Sequence, residues 1–129
     1  MKALGLISEL DGTRLANLPS LVQISQKLDP AVKQAVLEYL SRGTTFFDVM
    51  EATPDPLSVG KSISGGSSLV TDGFWVWRLD LINYVSAHNI ELPDEFIQTA
   101  RTTRKSQSLP TVPITQDFVN QALATGGWL

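Results

Sequence analysis

Two runs of strand-forming residues, Leu69-Val70-Thr71 and Phe74-Trp75-Val76-Trp77, flank the dipeptide Asp72-Gly73. Asp-Gly is a preferred pair for a tight type I′ turn, because both central positions need positive φ and Gly takes it at least cost. The pattern therefore predicts a β-hairpin at about 69–77, with Val70 opposite Trp75 and Leu69 opposite Val76. In that pairing Trp75 and Trp77 share a face with Val70, and Phe74 and Val76 share the other with Leu69. Both faces are apolar. Either the hairpin is buried on both sides, or one side meets a partner.

Helical signals surround this hairpin. Asp29 is suited to an N-cap and Pro30 to the first helical position. Val32, Ala35, Val36, Tyr39 and Leu40 then recur at helical spacing, and Gly43 fits a left-handed C′ position after Arg42. Pro19 opens a shorter helix over 19–27 with Leu21, Val22 and Ile24 inward. Residues 78–88 carry Leu81, Ile82, Tyr84 and Val85, with Asp80 in the first turn. Pro93-Asp94-Glu95 starts another helix, and Thr115 caps a last one carrying Phe118, Val119, Ala122 and Leu123. Leu4, Leu6, Ile7 and Leu10 fit a short helix or an extended arm. Thr44 to Glu51 reads as a strand, 58–68 as a Gly/Ser-rich loop or weak edge strand, and 102–114 as a long surface connection.

The expected architecture is α+β, with four to five helices packed on a small antiparallel sheet in a single domain over 1–129. The 129 residues suit one core, and 43% apolar with 18% charged residues is ordinary globular material. The chain has no cysteine, which excludes disulfides, thiolate nucleophiles and Cys-ligated zinc and fits a reducing cytoplasm. No apolar run is long enough for a spanning helix, and the N-terminal stretch reads as mature structure.

Catalytic signals are sparse. Gly60-Lys61-Ser62 lacks the first glycine of a phosphate loop; Asp55 stands there, and its charge repels phosphate. His88 is the only histidine, so any general base or metal site built on imidazole has to use it. Its place at a helix end fits bonding to terminal carbonyls. No metal or organic cofactor is expected. Net charge is −3 and pI about 5.0, and the only basic cluster is Arg101, Arg104 and Lys105. That is too little for direct nucleic-acid binding, which relies on neutralising many phosphates. Trp75 and Trp77 are core candidates. They are also the residue type that dominates binding hot spots.

The stretch Thr71-Asp72-Gly73-Phe74-Trp75-Val76-Trp77, followed by Asp80-Leu81, Tyr84-Val85 and Leu92-Pro93-Asp94-Glu95-Phe96, resembles a module of small bacterial proteins. In these a T-D-G-x-W-x-W hairpin runs into a D-L-x-x-Y-V helix and an L-P-x-E-F helix. Tyr39-Leu40, Gly43 and Asp55-Pro56-Leu57 upstream are also similar, so the resemblance covers residues 36–97. The module usually has Pro after the second Trp, where this chain has Arg78. Several such proteins look like immunity proteins encoded beside polymorphic or contact-dependent growth-inhibition toxins.

The resemblance implies a cytoplasmic, non-catalytic protein that binds a cognate toxin domain and occludes its active site or a nearby surface. Many such toxins are basic nucleases, and an acidic partner gains on-rate from complementary charge. The partner-binding candidates are Asp48, Glu51, Asp55, Glu91, Asp94 and Glu95, with Trp75 and Trp77 as anchors. The protein itself is expected to be a monomer or weak dimer, bound to neither membrane nor nucleic acid. The alternatives are a structural or regulatory interaction module and an enzyme with an unrecognised carboxylate site.

Overall fold

The computed structural model describes residues 1–56, 60–103 and 113–128. Its elements are β1 (Lys2–Ala3), α1 (Ser8–Asp11), α2 (Leu21–Ile24), α3 (Pro30–Ser41), β2 (Thr44–Phe47), β3 (Ala52–Pro54), β4 (Ser62–Ser64), β5 (Leu69–Thr71), β6 (Trp75–Arg78), α4 (Leu81–His88), α5 (Asp94–Thr102) and α6 (Gln116–Thr125). The fold is α+β, as the pattern of elements predicts. One sheet has the order β1-β6-β5-β2, parallel between β1 and β6 and antiparallel elsewhere, and β3 and β4 form a separate antiparallel pair. Among the described residues no helix is long and apolar enough to cross a membrane.

The hairpin forms, with a different turn. Val70 faces Trp77 and Thr71 faces Val76, which leaves residues 72–75 as the connection in place of Asp72-Gly73 alone. Side chains explain the longer turn. Asp72 Oδ1 accepts from the backbone N–H groups of Phe74 (2.9 Å) and Trp75 (2.7 Å). Thr71 Oγ1 accepts from Gly73 N–H and donates to the Trp75 carbonyl. These bonds replace the ladder bonds of a tight turn, as Asx and ST turns do. Gly73 still has positive φ, at 100°. A two-residue shift keeps side chains on their expected faces, so Val70 and both Trp remain together.

Both faces of the hairpin are buried. On one, Phe96 of α5 is the hub of an aromatic cluster, with ring centroids 5.5 Å from Tyr39, 5.6 Å from Trp75 and 6.2 Å from Trp77. Offset and edge-on geometries of this kind favour the ring quadrupoles. On the other face lie Leu69 and Val76, and α6 is tied to β2 by the edge-on pair Phe46–Phe118.

Helix α3 starts as read: Asp29 accepts from Ala31 N–H and Pro30 is the first helical residue. Gly43 does not take the left-handed conformation. It is needed for space, because a Cβ there would stand 2.5 Å from Val70 Cγ1 and 2.6 Å from Trp77 Cζ2. Helix α2 is shorter than expected, 21–24, fixed by a reciprocal capping box between Ser20 and Gln23. Val22 is exposed, not inward. The 1–11 segment uses both expected forms, an extended β1 and then the short α1. Arg104 and Lys105 of the basic cluster, and most of the connection over 102–114, lie outside the described residues.

Candidate functional site

The backbone between α2 and α3 zips onto the backbone between α4 and α5. Gln26 N–H donates to the His88 carbonyl (2.8 Å), Lys27 and Leu28 N–H both to the Asn89 carbonyl (3.0 and 2.9 Å), and Glu91 N–H to the Ile24 carbonyl (2.8 Å). Gln26 and Asn89 adopt positive φ to allow it. This junction sets Ile24 beside the start of α5 and shapes two adjoining hollows of about 440 and 250 Å³. Glu91, Leu92 and Asp94 line both. Leu6, Ile24 and Pro93 add an apolar floor to the first, and Leu28 and Ile97 to the second. Lys27 and Asp29 also line the second, and the Asp29 carboxylate is already engaged as the α3 cap.

Glu91 and Asp94 are thus exposed carboxylates over a concave apolar surface. Glu95, next to Asp94, lies outside the groove lining, and its carboxylate pairs with Lys2 Nζ at 2.7 Å on the surface. The other three acidic candidates, Asp48, Glu51 and Asp55, are not equivalent. Asp48 is exposed, and Glu51 is exposed with Oε1 accepting from Ser67 Oγ at 2.9 Å. Asp55 is turned inward onto His88, with its Oδ2 2.9 Å from Nε2.

Trp75 and Trp77 are only 3% and 1% exposed. The aromatic cluster takes up their surface and leaves little of it for a partner. The exposed aromatic of this hairpin is Phe74.

Two polar constellations escaped the sequence reading. In the first, Arg78 donates through Nε (3.1 Å) and Nη2 (2.8 Å) to both oxygens of Asp80. Thr53 donates to the same Asp80 carboxylate, Arg14 donates to Asp11, and Asp11 Oδ2 accepts from Ile7 N–H. Asp11 and Asp80 are fully buried. Burial pushes the Asp80 carboxyl up from its ordinary value, opposed by the Arg78 hydrogen bonds and charge. Asp80 is the N-cap residue of α4, but its carboxylate answers Arg78 and makes no capping hydrogen bond. Arg78 is also the position at which the chain departs from the T-D-G-x-W-x-W module.

The second constellation is His88–Asp55. His88 ends α4 and bonds this carboxylate, not the terminal carbonyls expected of it, and Tyr84 stacks on the imidazole. A carboxylate-held imidazole is the arrangement a general base requires, but side-chain exposures of 14% and 8% leave a substrate little access. The two residues are thirty-three positions apart, which no local motif signals. Among the described residues no three acidic or imidazole side chains gather as a metal site would need.

Comparison with protein-family models, with curated proteins and with solved structures finds no match to this chain.

Proposed function

We propose that this chain works by binding a partner protein, and that a basic segment of the partner docks in the groove at Glu91, Leu92 and Asp94. The observation that carries this is the shared lining: two adjoining hollows meet at two exposed carboxylates above a buried Leu92. Such a groove suits Lys or Arg side chains, whose aliphatic stems pack on apolar surface while their charged ends reach carboxylates. The net charge of −3 adds long-range steering toward a basic surface.

Combined with the resemblance of residues 36–97, this reading makes the protein an immunity protein. The partner is then a cognate toxin domain encoded beside it, blocked at its active site or a neighbouring surface. A regulatory interaction module with a different basic partner uses the same groove, so identifying the ligand separates the two. The test is binding of the purified adjacent gene product to the protein and to Glu91→Lys/Asp94→Lys. Tight 1:1 binding that the double variant loses, with an unchanged melting curve, supports the proposal. Failure of the adjacent gene product to bind removes the toxin reading, and binding indifferent to both reversals removes the groove.

A further inference from the structure

A third cavity, of about 380 Å³, shares no lining residue with the acidic groove. Leu10, Phe47, Leu69, Leu123 and Trp128 form its apolar wall. Two guanidinium groups, Arg14 and Arg78, also line it. The carboxylates that answer them, Asp11 and Asp80, are buried and do not line it. The cavity is thus lined by two cationic side chains, while their two carboxylate partners are not part of its lining.

These guanidiniums have unused donors. Arg14 Nε is buried without a hydrogen-bond partner. Among the described residues, Arg14 bonds only through Nη2, to Asp11 and the Gly126 carbonyl, and Arg78 only through Nε and Nη2. Arg78 Nη1 reaches Asp11 Oδ1 only at 3.8 Å, beyond hydrogen-bonding distance. Trp128 braces Arg14, with the guanidinium carbon 5.2 Å from the ring centroid.

We propose that this cavity binds a small monocarboxylic acid with an apolar body. An apolar pocket with a few convergent polar groups is the usual form of a small-molecule site, and guanidinium donors match a planar carboxylate. Glu51 also lines the cavity and its carboxylate repels any anion, so recognition falls to the guanidinium hydrogen bonds, and a ligand with a second negative charge, such as a phosphate ester or dicarboxylate, is disfavoured.

Titration of the isotope-labelled protein with phenylacetate, followed by NMR, tests the site. The expected result is saturable shifts centred on Leu69, Leu123 and the Trp128 indole, with neutral phenylacetamide binding weaker by at least about tenfold. Arg14→Gln, which leaves Arg78 in place, should reduce that preference for acid over amide. The acid–amide comparison on the unaltered chain stands even if the variant does not fold. Absence of saturation, shifts centred elsewhere, or equal affinity for acid and amide overturns the proposal.

Discussion

Tyr39 of α3 donates its phenolic hydrogen to Asp72 Oδ2 in the β5–β6 turn, and both groups are buried. The same carboxylate accepts from Phe74 and Trp75 N–H through its other oxygen. Asp72 therefore joins helix to sheet and also shapes the turn. Tyr39→Phe removes one hydrogen bond to a charged group and should cost about 1.5–3 kcal/mol. Asp72→Ala strands two backbone donors as well and should cost more than Tyr39→Phe. Urea denaturation of the two variants checks this, and equal losses would mean that the turn does not depend on Asp72.

Burial raises the phenol pKa of Tyr39, with the Asp72 hydrogen bond adding to it, and burial raises that of Tyr84, with Asp80 adding to it. These are the only tyrosines in the chain. A raised folded-state value favours the protonated form, so its contribution to stability is complete below the unfolded value near about 10 and is lost as pH rises toward the folded values. Phenolate absorbance should therefore stay low in the native protein above that point and appear together with alkaline unfolding. Ordinary titration near 10 with the fold intact would contradict the buried placement.

Arg78 answers Asp80 at two oxygens in a setting where Asp80 and Asp11 are buried. Arg78→Leu leaves buried carboxylates short of a partner and should cost about 3–5 kcal/mol near neutral pH. Without Arg78 the Asp80 carboxyl rises further, so protonation favours the folded variant and the deficit against wild type should shrink as pH falls from about 7 to about 5. Arg78→Leu/Asp80→Asn should recover part of the loss at neutral pH. Denaturant melts at the two pH values decide it: a deficit independent of pH would mean that packing, not charge, is lost.

Legibility in the sequence follows the range of the interactions. The start of α3 was readable because Asp29 and Pro30 act within one turn. The hairpin's faces were readable because a period of two survives a two-residue shift in register. The turn itself was not, since propensity describes backbone preference while here the Asp72 and Thr71 side chains take over the amides. Glu91 and Asp94 were readable as exposed acids. Their groove was not, because it depends on residues 24–28 meeting 88–91. Trp75 and Trp77 carried two readings that composition leaves open, and only the position of Phe96 between them and Tyr39 decides for the core.

Gly43 illustrates the same limit and makes a further prediction. Its place after α3 suggests a helix-ending glycine, whereas the structure uses it to let Val70 and Trp77 approach the backbone. Gly43→Ala places a methyl group against both side chains and should cost about 1–3 kcal/mol through overpacking. A left-handed cap would also be destabilised by alanine, so a second variant is needed. Gly43→Ala combined with Val70→Ala opens the space and should recover part of the loss beyond additivity, whereas a conformational penalty at Gly43 would be unaffected by Val70. A double-mutant cycle in denaturant distinguishes them.

The acidic groove predicts a kinetic signature. Two exposed carboxylates contribute little to folding, so Glu91→Lys and Asp94→Lys should leave the melting curve near that of wild type. Their effect on a basic partner should fall first on association, since exposed charges steer encounter and are screened over about 8–10 Å at physiological salt. Association of the wild-type protein should slow as salt rises, and the reversed variants should show a flatter salt dependence. Ile97→Ala tests the apolar floor separately: it carries no charge change, so it should raise the dissociation rate and leave the salt dependence of association intact. Glu95→Gln is the matched control, because Glu95 is paired with Lys2 outside the groove lining and its loss also removes one negative charge. If Glu95→Gln slows association as much as neutralising Asp94 does with Asp94→Asn, the protein's overall charge governs encounter and the groove has no special part in it. A slower association for Asp94→Asn alone, with faster dissociation for Ile97→Ala, is the pattern that places the partner at Glu91, Leu92 and Asp94.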